Sequence, residues 1–322
     1  MIVSLALLMA EQITILIPVF NDEESLNCLL AELAASNKEF PDSKFSVLAV
    51  DDGSSDNMEI KVSSQFSLKI LHLLRNIGHQ KAIAVGLAYI KENVSCDKVL
   101  VMDADGEDRP EDAVALLKES MNNSGKIIFA KRKSRQEGSS FRLFYSIYKL
   151  AFRILTGKRI TFGNFLVMPK PMLDKVVYYP EIWNHIAGGI LKARLPYSSI
   201  VTHRGKRYAG KSKMSFHSLL IHGLGAIAVF IDVIASRLLI FSLVLIGFSL
   251  LVILAVIGIK TFSDLAIPGW TSTVISAMLI ILLQSFLLSL FTIFLYLSSQ
   301  SQRKFIPALH YKDYTGPVET IQ

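Results

Sequence analysis

Two long uncharged runs near the C-terminal end constrain this chain more than any other feature. Leu238–Ile259 places 22 residues without a charge between Arg237 and Lys260, and a helix needs about 20 apolar residues to cross a bilayer core. Thr273–Leu297 is a second such run, with Gln284 its most polar member. Hydrocarbon offers no partner to a backbone donor or acceptor, so both runs are expected as transmembrane helices, a hairpin over 238–299. The connection carries Lys260, Asp264 and Trp270, the last suited to anchoring at an interface. Arg303, Lys304 and Lys312 follow the second run, and this basic bias puts both termini in the cytoplasm. Ser215–Arg237 is apolar with polar positions at Ser218, His222, Asp232 and Ser236. It reads as an interfacial amphipathic helix within 212–237, and 300–322 as a cytoplasmic tail.

Composition agrees with that reading. Of 322 residues 51% are hydrophobic, and the excess lies in these runs rather than in an enlarged core. The formal net charge is +7, with basic residues clustered between Lys126 and Lys213. On a membrane protein that balance favours anionic lipid or phosphorylated substrates. No zinc spacing or nucleic-acid module accompanies it, so no nucleic-acid partner is expected. Cys28 and Cys96 make neither a disulfide framework nor a metal cluster, and both read as small apolar residues in a reduced compartment. Met1–Ala10 is apolar without a basic flank and runs straight into a strand, which leaves no room for a cleaved signal peptide.

From Ile13 to Arg132 strand and helix patterns alternate. Strands are expected at Ile13–Val19, Phe45–Val50, Lys69–Leu74, Val99–Met102 and Lys126–Ala130, with helices at Glu23–Ser36, capped by Asn21 or Asp22, and through Ala82–Tyr89. Such alternation implies an α/β domain, a mostly parallel sheet with helices on both faces and ligands at the strands' carboxyl ends. Each polar cluster falls at such an end: Asp51–Asp52–Gly53–Ser54–Ser55–Asp56, Arg75–Asn76–Ile77–Gly78–His79, and Asp103–Ala104–Asp105–Gly106–Glu107–Asp108. Alternation along extended backbone lets Asp103 and Asp105 point to one side. Two hard oxygen donors so spaced suit Mg²⁺ or Mn²⁺ on the phosphates of a nucleotide. An isolated D-x-D also fits a solvated acidic turn before a helix at Pro110; the neighbouring clusters favour the site. Asp51 fits either a ligand contact or a cap of the turn after it, and His72 and Cys96 read as structural.

Pro18–Val19–Phe20–Asn21–Asp22, Asp51–Asp52–Gly53–Ser54–Ser55–Asp56, Asn76–Ile77–Gly78 and Asp103–Ala104–Asp105, in this order, resemble the family 2 glycosyltransferases with the GT-A nucleotide-sugar fold. Within that family the chain is most similar to dolichyl- and polyprenyl-phosphate sugar synthases with two C-terminal membrane helices, over roughly residues 12–300. The resemblance implies a GT-A domain over 1–211. It places Pro18, Phe20 and Asp22 in a first loop lining the base and ribose, Asp52 on the nucleotide, and Asp103, Ala104 and Asp105 at the diphosphate. Asp103 and Asp105 would hold the metal, with Glu107 where a further oxygen ligand is common. Arg132, in the run Lys131–Arg132–Lys133 with Arg135, could screen diphosphate charge or be merely solvated. Arg207–Tyr208–Ala209–Gly210–Lys211–Ser212–Lys213 matches the family's R-x-x-G-x-S-K loop over the active site, making Arg207, Ser212 and Lys213 candidates for an acceptor phosphate. The expected catalytic residues are Asp103, Asp105, Arg207 and Lys213.

Three segments complicate the match. Phe141–Leu155 sets Arg142, Ser146, Lys149 and Arg153 apart from Phe144, Tyr148, Phe152 and Leu155, as a helix in the headgroup layer or on an ordinary surface would. Asn164–Phe165–Leu166 stands where many relatives have Asp–Phe–Arg, an amide in place of a candidate acceptor-binding acid. Glu181 and His185 would share a helix face and are base candidates, although a histidine there also fits a structural hydrogen bond. The second span lacks the Gly–Glu–Tyr–x–Gly–Arg signature of bacterial polyprenyl-phosphate relatives.

The expected activity is inverting transfer of a sugar from a nucleotide-sugar donor to a polyprenyl phosphate, by a membrane-anchored, metal-dependent homo-oligomer with its catalytic domain in the cytoplasm. The alternative is addition of a sugar to a lipid-linked saccharide in cell-surface polysaccharide synthesis, which would need a base. A non-catalytic membrane scaffold is argued against by the intact Asp103 and Asp105, and a processive synthase by the missing Q-x-x-R-W motif.

Overall fold

The computed structural model describes residues 11–36, 39, 43–55, 59–60, 67–132, 139–158, 162–209, 223–262, 267–302 and 304–321, with backbone alone for 139–145. Ser212, Lys213, Lys133, Arg135, the N-terminal ten residues and the first part of the expected interfacial segment, 212–222, lie outside it. The chain divides into two compact units, residues 1–146, 159–229 and 305–322 in one, 147–158 and 230–304 in the other.

The first unit is built on β1 (Gln12–Val19), whose residues after Gln12 are all buried. A strand apolar on both faces belongs inside a parallel sheet, and β1 pairs in parallel with both β2 (Lys44–Asp51) and β4 (Lys98–Val101). β3 (Ser67–Leu73) extends the sheet beyond β2, again in parallel. Side-chain alternation divides each strand between two layers. Leu16, Leu48, Val99 and Val101 meet helix α2 (His79–Asn93) on one face. Ile15, Ile17, Leu100 and Met102 meet α1 (Glu23–Ser36) and α3 (Pro110–Asn122) on the other. Each such aliphatic side chain contributes about 1.5–3 kcal/mol on burial. α2 lies close to the sheet, because a Cβ on Gly86 would stand 2.4 Å from Leu16 Cδ1.

The remaining strands are β5 (Ile127–Arg132), β6 (Leu166–Pro169), β7 (Tyr197–Thr202) and β8 (Thr315–Ile321). Among the described residues the sheet has eight strands in the order β7-β5-β6-β4-β1-β2-β3-β8. β6 is antiparallel to β4 and β5, and β8 is antiparallel to β3, so the sheet is mixed, with its parallel part central. β8 departs from the expected tail over 300–322: after the second apolar run the chain returns to the sheet.

In the second unit, α7 (Ile231–Phe262) and α8 (Trp270–Ser301) are long and apolar enough to cross a membrane, with 17% of each most apolar window buried. (α4 is Ser139–Thr156, α5 Lys170–Val176 and α6 Ile186–Lys192.) α7 starts seven residues before the expected span at Leu238, so the last part of the expected interfacial helix is the beginning of α7. Beyond Ile234 and Ala235 in the first turn of α7, the covered positions on these helices are mostly small or hydroxylic: Ser242, Ser249 and Val256 on α7, and Thr271, Ser285, Ser289 and Thr292 on α8. Small residues let two backbones approach where lipid supplies no hydrophobic drive. The hydroxyls of Ser242, Ser289 and Thr292 return to their own helices, to Leu238 O at 2.9 Å, Ser285 O at 2.9 Å and Leu288 O at 2.7 Å. In the C-terminal half of α4, Phe152 is buried edge-on to Phe230 and Arg237 Nη1 donates to Ile154 O at 2.5 Å. The exposed side carries Lys149 and Arg153 together with Ile147, Leu150 and Ile154, an apolar stripe that the two-sided sequence reading missed.

Candidate active site

Strand order creates the site. From β1 the chain moves outward through β2 and β3, then returns to place β4 on the other side of β1, and a crevice opens where the order reverses. Pro18 lies inside β1 rather than in the first loop, buried and level with Val50. Met102 N donates to Leu16 O at 3.2 Å, so alternation turns the Pro18 nitrogen toward β4 as well. Proline has no N–H to give, and β4 leaves β1 there, carrying Asp103 into the opening.

Three loops meet at this end. Asn21, at φ 47°, donates its N–H to Ser54 Oγ and accepts from Ser55 N, each at 2.9 Å. It is therefore joined to the second loop instead of capping α1. Asp51 Oδ1 accepts from Ser54 N at 2.9 Å, the turn cap that was one of its two readings. Asp52 accepts from Ile77 N at 2.7 Å and Gly78 N at 2.9 Å, fastening the third loop. Burial raises its pKa against the lowering effect of those two amides. Gly53 adopts φ +73°, and a Cβ there would lie 2.6 Å from Asn76 N, so only glycine admits the second loop this close to the third. Phe20 is exposed beside these loops and Asp22 is half-buried.

The acidic turn is met by cations. His79 Nε2 lies 3.2 Å from Asp103 Oδ1. Arg207 pairs with Asp105 Oδ2, while Asp105 Oδ1 accepts from Glu107 N at 2.9 Å. Glu107 accepts from Arg204 on Oε1 at 2.7 Å and from Arg132 on Oε2 at 3.2 Å, so it holds two guanidinium groups beside Asp103 and Asp105. Asp108, which the sequence reading passed over, is buried, bonded to Arg132 at 2.9 Å and to Asp103 N at 3.1 Å. Arg132 is thus placed by the acidic turn, beside the expected diphosphate.

Each shift in this cluster has a cause. Burial raises Asp105, and the charge of Asp103 adds to it against Arg207. Burial and Asp103 likewise raise Asp108 against Arg132. Burial works against the carboxylate of Glu107, but the bond and charge of Arg204 with the charge of Arg132 leave its pKa lowered. Burial opposes the imidazolium of His79, yet Asp103 outweighs it and the net shift is upward.

A strap over 203–209 lies on this turn. Gly205 N donates to Glu107 O at 2.9 Å and Tyr208 N to Asp105 O at 3.0 Å. The Tyr208 ring covers Gly106, where a Cβ would be 2.7 Å from it, and its hydroxyl donates to Glu32 Oε2 at 2.5 Å. Arg204 and Tyr208 belong to the segment around the loop motif, but their contacts and that of Glu32 were not readable, since their partners are distant in the chain.

The base candidates are engaged elsewhere. Glu181 belongs to a 3₁₀ turn, Pro180–Trp183, and is 3.3 Å from Lys192 Nζ. His185 begins α6 as its cap, buried, with Nδ1 accepting from Gly188 N at 3.0 Å. The break between turn and helix removes the shared face that was expected. Asn164 sits 3.0 Å from His79 Nε2, so the position where relatives carry an acid does adjoin Asp103 through His79.

Among the described residues no three His, Cys, Asp or Glu side chains converge as a metal cage. The donor set still fits Mg²⁺ or Mn²⁺, which are commonly held by one or two carboxylates with substrate phosphates supplying other ligands. Asp103 and Asp105 provide that pair, and their mutual repulsion is what a cation would relieve.

The chain matches the family described as Glycosyl transferase family 2 over residues 14–175. It is 26% identical over 281 residues to the Bacillus subtilis glycosyltransferase YkcC, covering 83% of each chain. To the undecaprenyl-phosphate 4-deoxy-4-formamido-L-arabinose transferase of Salmonella paratyphi A it is 27% identical over 219 residues, 65% of this chain and 64% of that one. The glucosyl-3-phosphoglycerate synthase of Mycobacterium tuberculosis, solved with Mn²⁺, uridine-diphosphate-glucose and phosphoglyceric acid, shares the fold at TM-score 0.50 and 13% identity, covering 70% of this chain and 80% of that one. With a parallel-centred sheet that gathers the acidic turn and three loops at one end, and a family match across half its length, the chain belongs to glycosyl transferase family 2.

Proposed function

We propose that this glycosyltransferase moves a sugar from a nucleotide-sugar donor to a polyprenyl phosphate, with inversion. The observation that carries the acceptor is the employment of the base candidates: Glu181 pairs with Lys192, His185 caps α6, and position 164 is an amide. A sugar hydroxyl must lose a proton as it attacks, whereas a phosphate oxygen is already anionic. In the transfer, an acceptor phosphate oxygen forms a bond to the anomeric carbon as the bond from that carbon to the diphosphate oxygen breaks. The nucleoside diphosphate leaves with the electron pair. Mg²⁺ or Mn²⁺ held by Asp103 and Asp105 would act as a Lewis acid on that diphosphate. Arg132 adds a positive charge nearby, and Asp52 and Asn21 hold the loops around the nucleotide. Arg207 is placed to exchange Asp105 for phosphate, with Ser212 and Lys213 following it in the sequence motif. The Salmonella relative, whose name specifies undecaprenyl phosphate, supports this acceptor class.

His185→Asn tests the acceptor, because asparagine is itself a good helix cap. With undecaprenyl phosphate, Mn²⁺ and a panel of UDP-, GDP- and CDP-sugars, glycolipid formation by the variant should match the parent within about twofold, whereas loss of a general base would cost about a hundredfold. A collapse of kcat in His185→Asn, with product formed only on a lipid-linked saccharide, would overturn the phosphate acceptor.

We also place the catalytic domain and both termini in the cytoplasm, from the basic flanks Arg237, Arg303 and Lys304. β7 and β8 lie on either side of the apolar pair in the chain yet share one sheet, which requires an even number of crossings. In intact cells an impermeant maleimide should label Ile267→Cys, between the helices, and spare the exposed native Cys28. The reverse labelling would reject this orientation.

A further inference from the structure

Three neighbouring strands present a row of side chains at the edge of the donor loops. Asp51 ends β2, His72 lies opposite it in β3, and Glu319 comes from β8. His72 Nδ1 is 2.9 Å from Asp51 Oδ2, and its Nε2 is 3.6 Å from Glu319 Oε2. The other oxygen of Asp51 takes Ser54 N, and Ser54 Oγ takes Asn21 N, so the row continues into the second and first loops. The next residue, Asp52, holds the third loop by two amides. The first and third loops are therefore both attached to the 52–55 turn that starts at the carboxylate His72 orients.

β8 is shaped for this contact. The register with β3 shifts between Leu71 and Leu73, where the β8 partners step from Val318 to Thr315 and one extra residue is accommodated beside Gly316 and Pro317. A bulge re-aims neighbouring side chains and is one of the few places a strand tolerates proline. A Cβ on Gly316 would stand 3.2 Å from His72 O, so glycine admits the strand at this distance. Asp51 is nearly buried, at 8% side-chain exposure, while Glu319 at 60% is open to solvent.

We propose that His72 is a positioning residue for the nucleotide donor, fixing Asp51 and through it the 51–55 turn against Asn21, with Glu319 of β8 setting its ring. This rests on the donor lying at the carboxyl ends of β1, β2 and β4. A histidine that only filled the sheet surface would affect stability and leave nucleotide affinity alone. His72 thus differs from the structural residue expected at that position.

The experiment uses the full chain in detergent, with UDP, GDP, CDP and ADP in the presence of Mn²⁺ as calorimetric probes, and steady-state kinetics with whichever cognate sugar supports transfer. His72→Leu should weaken nucleoside diphosphate binding and raise donor KM by about five- to tenfold, the scale of one ordinary hydrogen bond acting through the turn, with kcat at saturating donor and acceptor KM unchanged. His72→Gln, which can still donate to Asp51, should recover most of the affinity. Glu319→Gln, on an exposed side chain that cannot decide folding, should give a smaller loss in the same direction. A change in melting temperature alone for His72→Leu, with nucleotide affinity intact, would overturn the role of His72. An unchanged affinity in Glu319→Gln would overturn the contribution of β8. Failure of the parent to bind any of the four nucleotides would instead reject the donor site itself.

Discussion

Asp105→Asn is expected to abolish most sugar transfer, by about a thousandfold or more in kcat, while the protein folds as before. The amide keeps an oxygen that can accept from Glu107 N, so the turn retains its shape. The substitution also removes the repulsion between Asp105 and Asp103 that, after burial, raises the pKa of Asp105. Loss of the Arg207 pair acts in the opposite direction, and the melting temperature should stay near that of the parent. What disappears is one of two carboxylates able to hold a divalent ion against a leaving diphosphate. Full turnover in Asp105→Asn at saturating Mg²⁺ or Mn²⁺ would reject the assignment of the acidic turn.

Arg207→Ala should produce two effects of opposite sign. Arg207 now neutralises Asp105, so it competes with any cation that approaches that carboxylate. Its removal should tighten Mn²⁺ binding to the otherwise intact protein by a few-fold, as a titration of the metal alone would show. Transfer should nevertheless fall by roughly ten- to a hundredfold in kcat/KM for polyprenyl phosphate, the scale of a lost charge-assisted contact. Arg207→Lys should rescue little, since an ammonium cannot reproduce the planar two-pronged geometry of a guanidinium. If Mn²⁺ affinity and transfer both fall together, Arg207 supports the acidic turn and the acceptor role is lost.

The central sheet was readable because buried parallel strands are short continuous apolar runs, and each of β1 to β4 ends in a polar cluster that marks its carboxyl end. β5 was legible too, expected at Lys126–Ala130 and found at Ile127–Arg132, but β6, β7 and β8 were not. β6 is four residues closing on Pro169, β7 mixes exposed and half-buried positions, and β8 contains Gly316, Pro317 and Glu319, all poor in strand propensity. Neighbouring strands decide such segments, and a one-dimensional pattern does not carry those neighbours. The site divides in the same way. Asp103 and Asp105 were legible from local spacing. Arg132 and Arg207 were named from their motifs, but their carboxylate partners were not, and the roles of Arg204, Tyr208 and Glu32 are relational: Tyr208 meets Glu32 across 176 positions. The helix face expected to join Glu181 and His185 failed because a helical period was extended through a 3₁₀ turn and a cap, while the structural hydrogen bond that was the other reading of His185 is the one found.

The bulged pairing of β8 with β3 also sets an order of events during synthesis. Seven strands of the sheet leave the ribosome before either apolar helix, whereas β8 leaves only after both. Until then β3 is an open edge whose amides and carbonyls can template aggregation with another nascent chain. Closing that edge with a strand too irregular to extend the sheet further ends the hazard. Maturation of the catalytic domain is therefore deferred until the greasy hairpin has emerged, and β3 is the surface that a chaperone would have to shield in the interval.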